Sequence, residues 1–123
     1  MTAARHVLVT GGGRGIGRAI ALRFAEGGAR VFVNFFVNRE AAEKTARDIE
    51  VRGGVPELLQ ADLKDADQVR AMFGAIERAA GRLDVVVSNA ASGVLKPALE
   101  LTPKRLDWVL HTNARPLLLC AQH

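Results

Sequence analysis

The 123 residues are enough for one domain with a modest core, and 49% hydrophobic with 24% charged residues is the composition of an ordinary globular chain. No apolar run approaches the ~20 residues of a membrane helix, and the formal charge of +4 is spread evenly along the chain rather than gathered into a basic block, so membrane and nucleic-acid partners are not expected. Cys120 is the only cysteine; it can make no internal disulfide or multi-cysteine metal site and reads as a small buried hydrophobe, with no metal site expected.

Met1 to Arg5 leads straight into a strand without a signal-peptide core, which makes the cytoplasm the expected compartment. Val7 to Thr10 is the first strand. Glycines follow, then a helix with Ile16, Ile20 and Phe24 on one face, ended by Gly27-Gly28. Val31 to Phe36 is the second strand. A helix from Arg39 to Arg52 turns Ala42, Ala46 and Ile49 inward and stops at Gly53-Gly54. Pro56 to Ala61 is the third strand. Asp65 is an N-cap, with Gln68 three residues on completing a capping box, and the helix it opens carries Val69, Met72, Phe73, Ile76 and Ala80 to Gly81. Val85 to Val87, continuous and apolar, suits a strand buried on both faces. Thr102-Pro103 supplies an N-cap and an N1 proline for a last helix with Leu106, Val109, Leu110, Asn113 and Leu117 along one face.

Strands separated by helices imply parallel pairing with right-handed crossovers. The expected fold is therefore α/β, a Rossmann-like doubly wound parallel sheet of four strands with flanking helices, forming one unit over residues 1–123. The chain stops in apolar helical sequence, Leu117 to His123, without a C-cap. Such sheets normally hold more strands, so the fourth strand is expected to be left as an edge and the last helix without its full support, and a truncated product or fragment is the expectation.

Thr10-Gly11-Gly12-Gly13-Arg14-Gly15-Ile16-Gly17 follows a strand and opens a helix. In that setting Gly11 lets the chain turn off the strand, Gly15 lets backbone approach a pyrophosphate, and Gly17 lets the helix pack close to the sheet, while free N–H groups at the helix start face the phosphates. The spacing resembles the Thr-Gly-x-x-x-Gly-x-Gly turn of the short-chain dehydrogenase/reductase family. The resemblance implies an oxidoreductase fold in which Gly11, Arg14, Ile16 and Gly17 surround a nicotinamide dinucleotide and Thr10 organises the turn.

No Asp or Glu stands among Asn34 to Arg39 to meet a bare ribose 2′-hydroxyl, and Arg14 resembles the basic residue of NADP(H)-preferring relatives, so NADP(H) is the expected cofactor. Val37 stands where a second basic residue is common; Arg39 could substitute, or be a solvated residue in its helix. By the same resemblance Asp62 would receive the adenine amino group and the Leu63 N–H a ring nitrogen. Ser88-Asn89-Ala90-Ala91 resembles the family's Asn-Asn-Ala-Gly motif, with Asn89 and Ala90 matching beside the adenine ribose. Asn113, three residues before Pro116, matches the Asn at a helix kink whose backbone binds a water in the proton relay, the one catalytic residue expected here.

The family's Tyr and Lys are absent: the chain has no Tyr, and Lys44, Lys64, Lys96 and Lys104 fall outside the expected segment. The stretches from Asn89 to Leu101 and from Asn113 to Gln122 resemble the short-chain type of NADPH-dependent enoyl-acyl-carrier-protein reductase, which implies a fatty-acid synthesis parent and an acyl-carrier-protein thioester as partner. A 3-oxoacyl-carrier-protein reductase is the close rival, and a non-catalytic nucleotide-binding or assembly module is the reading from another class. Family oligomers form through later helices, so the oligomeric state stays open.

Overall fold

The computed structural model describes residues 4–93 and 95–123; Met1 to Ala3, and Val94 within the Asn89 to Leu101 stretch, lie outside them. Four parallel strands, β1 (His6–Val9), β2 (Arg30–Phe35), β3 (Val55–Gln60) and β4 (Val85–Val87), form one sheet in the order β3-β2-β1-β4. Helices α1 (Gly15–Glu26), α2 (Arg39–Val51), α3 (Ala66–Ala80), α4 (Pro103–Asn113) and α5 (Arg115–Ala121) connect and flank them. This is the doubly wound α/β arrangement.

Period-two alternation along the strands makes two cores. Val7, Val9, Val31 and Val33 point to one face, where Ala21, Leu22 and Ala25 of α1 and Ile49 of α2 cover them. Leu8 and Phe32 point to the other, against Val69, Met72 and Ile76 of α3. Chain order reverses at β1: β2 and β3 lie to one side and β4 to the other. In open α/β sheets that reversal leaves a crevice beyond the carboxyl ends of the central strands, where ligands bind.

Several expected faces are corrected. The inward stripe of α1 is Gly17, Ala21, Leu22 and Ala25; Ile16 is 75% exposed, and Ile20 and Phe24 are only half-buried. Three of the four inward residues are small because α1 lies close to the β1 turn at Gly17, where a Cβ would strike the Gly11 carbonyl. In α2, Thr45 joins Ala42 and Ile49 in the core while Ala46 is half-buried. β4 is the edge strand expected, and with Val86 41% exposed its apolar run is not buried on both faces. The last helix is two: α4 ends at Asn113 and α5 starts at Arg115, as expected where Pro116 cannot donate to the Thr112 carbonyl. α4 buries no residue, so the expected inward face of Leu106 and Leu110 is exposed; Leu117 of α5 is exposed too, whereas Pro116 and Cys120 are buried.

Asp65 caps α3 through Oδ1, which accepts from the Asp67 and Gln68 N–H groups. Gln68 does not complete the box on Asp65. Its Oε1 accepts from the Asp62 N–H, one turn upstream, and its Nε2 donates to Asp65 Oδ2. The backbone N–H of Gln68, then that of Asp67, holds the Asp65 carboxyl below the usual carboxylate range. A lowered folded-state pKa contributes stability that is present above the unfolded value and lost as pH falls through the lowered one. The thermal midpoint should therefore decline as pH drops through and below the carboxylate range, with Asp65→Asn, still a capping acceptor, showing a shallower decline. Identical slopes for the two proteins would remove Asp65 from this account.

Candidate functional site

A groove of about 930 Å³ lies at the chain reversal, walled by the turn after β1, the end of β2, the segment after β3, the segment after β4, and α4. Its floor is held by hydrogen bonds that tie the turn to the ends of two other strands and to α2. Thr10 is fully buried; its hydroxyl donates to the Val87 carbonyl and accepts from the N–H groups of Asn89 and Ala90. Asn89 returns two bonds, its Nδ2 donating to the carbonyls of Thr10 and Gly11 at 3.1 and 3.2 Å. β1 and β4 thereby share one polar knot at their carboxyl ends.

Asn34 does the same from β2. It is 2% exposed, its Oδ1 accepts from the Gly11 N–H at 3.2 Å, and its Nδ2 donates to the carbonyls of Leu59 and Ala61. The Gly12 N–H donates to the Asn34 carbonyl. From α2, the buried Thr45 hydroxyl donates to the Gly13 carbonyl at 2.8 Å and accepts from Arg18, which is ion-paired to Asp48 at 2.6 Å. That guanidinium holds the Asp48 carboxyl below its ordinary range. Asn34 and Thr45 were not singled out from sequence as site residues. The available signal was a polar side chain within each element's apolar pattern, since a buried polar group needs a partner.

Gly11 and Gly15 have φ of +61° and +58°, the left-handed region that favours glycine. Gly17 is needed for space: a Cβ there would sit 2.3 Å from the Gly11 carbonyl oxygen and 2.5 Å from Asn89 Nδ2. At Gly15 a Cβ would meet nothing within 4 Å on the protein, which leaves that backbone open to the groove.

The start of α1 differs from the starts of α2, α3 and α4. Asn38, Asp65 and Thr102 cap those three with side-chain oxygens, whereas Arg14 at the N-cap of α1 provides no side-chain bond and the first turn holds no acid. The first-turn amides and the positive end of the helix dipole are thus presented to the groove with the exposed Arg14 beside them. This is an anion-binding arrangement.

Gly11, Arg14, Gly15, Ile16, Asp62, Leu63, Asn89 and Ala90 all line the groove, while Gly17 is buried behind the turn. Arg39 is outside the lining: its guanidinium lies 4.9 Å from the Phe35 ring centroid and donates to Gln60 Oε1. Asn113 is outside it as well, at the α4–α5 break. Its side chain clasps Ser92 in both directions, accepting from the Ser92 N–H at 2.9 Å and donating to its carbonyl at 2.6 Å. It therefore fixes the loop after β4 against α4. Phe36, Lys64, Trp108 and Thr112 join the groove wall without having been expected there. Among the described residues no cluster of His, Cys, Asp and Glu could hold a metal ion, and no helix is long and apolar enough to cross a membrane.

A family model described as short chain dehydrogenase matches residues 5–123. The 1-cyclohexenylcarbonyl-CoA reductase of Streptomyces collinus is 42% identical over 115 residues, covering 94% of this chain and 41% of that protein. The 3-oxoacyl-[acyl-carrier-protein] reductase FabG of Staphylococcus aureus (strain Mu50 / ATCC 700699) is 39% identical over 124 aligned positions, covering 99% and 50%. A crystal structure of a short chain dehydrogenase from Burkholderia cenocepacia J2315 in complex with NADP superposes with a TM-score of 0.90 at 36% identity, covering 96% of this chain and 48% of that one. The chain spans about half the length of the curated relatives it matches.

Proposed function

Because the chain belongs to the short chain dehydrogenase family, we propose that it is the dinucleotide-binding part of an oxidoreductase and that its groove takes NADP(H). The observation that carries this reading is the uncapped start of α1 beside Arg14, at the strand-order reversal, with no carboxylate from Asn34 to Arg39. The amides of the turn and α1 would hold the pyrophosphate, and Arg14 the 2′-phosphate. Asp62 and the Leu63 N–H would meet the adenine, and Asn89 and Ala90 would lie by its ribose. The relative crystallised with NADP supports that choice of dinucleotide. Arg39 would reach a 2′-phosphate only by leaving the Phe35 ring, so Arg14 is the primary cation.

When bound in its reduced form, the cofactor would supply a hydride. We assign the acceptor to thioester-linked acyl groups, first an enoyl-acyl-carrier-protein in fatty-acid synthesis. The Staphylococcus aureus relative favours a second reading, a 3-oxoacyl-acyl-carrier-protein. Asn113 would serve through its main chain at the α4–α5 break, positioning a water in the proton relay. The 123 residues include no Tyr, so the purified chain should bind without oxidising NADPH when an enoyl or 3-oxoacyl thioester is added.

The test is a fluorescence titration of the purified chain with NADPH and NADH. Trp108, the only tryptophan, lies on the groove and reports occupancy. NADPH should bind more tightly, and Arg14→Ala should weaken NADPH roughly tenfold or more, the worth of one charge-assisted hydrogen bond, while changing NADH little. Equal affinity for both dinucleotides, or NADPH binding indifferent to Arg14→Ala, would overturn the NADP(H) assignment.

A further inference from the structure

One of the two carboxylate oxygens of Asp62, a residue of the groove wall, is already committed, and Lys64 holds it. Asp62 Oδ1 accepts from the Lys64 backbone N–H at 3.0 Å and is ion-paired with Lys64 Nζ at 3.1 Å. Oδ2 has no hydrogen-bond partner among the described residues, and the Asp62 side chain is 21% exposed, on the groove wall. The ammonium is held in turn. It lies 5.6 Å from the Phe36 ring centroid and 6.0 Å from that of Trp108, within cation–π range of rings contributed from beyond β2 and from α4. The Lys64 carbonyl accepts from Arg115 at the start of α5. The Asp62 N–H donates to Gln68. Residue 64 is therefore fixed at both backbone and side chain, and it fixes the carboxylate.

We propose that Lys64 is a positioning residue for base recognition, saturating Asp62 Oδ1 so that Oδ2 alone faces the exocyclic amino group of the cofactor's adenine. This rests on the reading of the groove as a dinucleotide site. A carboxylate free to rotate offers a mixture of oxygens and geometries; one oxygen held by two donors leaves the other aimed. The consequence is selectivity for a donor on the base. An amino group donates to Oδ2, whereas a carbonyl oxygen in its place meets the same lone pairs and is rejected, because the acceptor covered by the bound base is left unpaired.

The experiment titrates the chain with NADPH and with its deamino analogue, in which hypoxanthine replaces adenine. The wild type should prefer NADPH by roughly tenfold. Lys64→Met should reduce that preference severalfold, and Lys64→Arg should restore most of it. In an Asp62→Ala background the share of the preference owed to the amino group should be gone, leaving what the Leu63 N–H at the ring nitrogen contributes, and Lys64→Met should have no further effect on the ratio, the non-additivity expected of residues acting as a unit. The ratio is measured within each protein, so a lower folded fraction cancels and a merely structural role for Lys64 leaves it unmoved. Equal weakening of both dinucleotides by Lys64→Met, with the ratio retained, would overturn the proposal. Failure of the underlying reading looks different: the wild type would bind neither dinucleotide, and the assignment of Lys64 would fall with it.

Discussion

Gly17→Ala is expected to be the most damaging single-methyl change in this chain. The added Cβ would stand 2.3 Å from the Gly11 carbonyl oxygen, 2.9 Å from the Gly11 carbonyl carbon and 2.5 Å from Asn89 Nδ2. Two of those three atoms are backbone, and the third belongs to a side chain already committed to two carbonyls. Neither neighbour can give way cheaply, so α1 must back off the sheet. That strips cover from Val7, Val9 and Val31, which are fully buried. Overpacking a tight site costs typically 1–3 kcal/mol, and this case belongs at roughly 3 kcal/mol because the displaced body is a whole helix. Dinucleotide binding should be lost with it, since the amides of the α1 start move too. Gly15→Ala is the control. Its Cβ meets no protein atom, and the penalty is the left-handed backbone at φ +58°, roughly 1–2 kcal/mol. Denaturant midpoints decide between the two effects; Gly17→Ala no less stable than Gly15→Ala would refute the close-packing account.

Asn34→Leu should follow, with a loss of about 3 kcal/mol. Leu matches Asn closely in shape, so packing is nearly conserved, while three hydrogen bonds vanish from a residue that is 2% exposed. The Gly11 N–H and the carbonyls of Leu59 and Ala61 are left to find other partners. Each orphaned buried group costs roughly 1–3 kcal/mol, and the sheet backbone recovers part of the total. The substitution also releases Gly11 at the bend of the phosphate turn, so NADPH affinity should fall further than the folded fraction explains. A Leu variant with an unchanged urea midpoint would mean that these bonds contribute nothing net.

The alternation of strands and helices and the glycine turn were legible because each is set by neighbours in sequence. Apolar runs of four to six residues, caps such as Asp65 and Thr102, and Pro116 ahead of a helix break act within one or two turns of themselves. Faces were less legible. Helical periodicity marks the apolar residues of α1, yet the sheet took Gly17, Ala21, Leu22 and Ala25, because close approach at Gly17 favours small side chains around it. The apolar stripe of α4 was real in sequence, but it buries no residue, and Leu106 and Leu110 stay exposed.

The sequence by itself determined the α/β alternation, the anion-binding turn of Thr10 to Gly17, and the absence of a carboxylate after β2, which together point to a phosphorylated dinucleotide. These are local statements, carried by residue type at fixed short spacing. Only the tertiary structure decided that Asn89 bonds to a turn 79 positions away, that Thr45 braces Gly13 across 32, that Arg39 turns to Phe35, and that Lys64 steadies Asp62 between two rings. Such contacts depend on strand order and on how closely each helix approaches the sheet, and no short-range pattern encodes either distance.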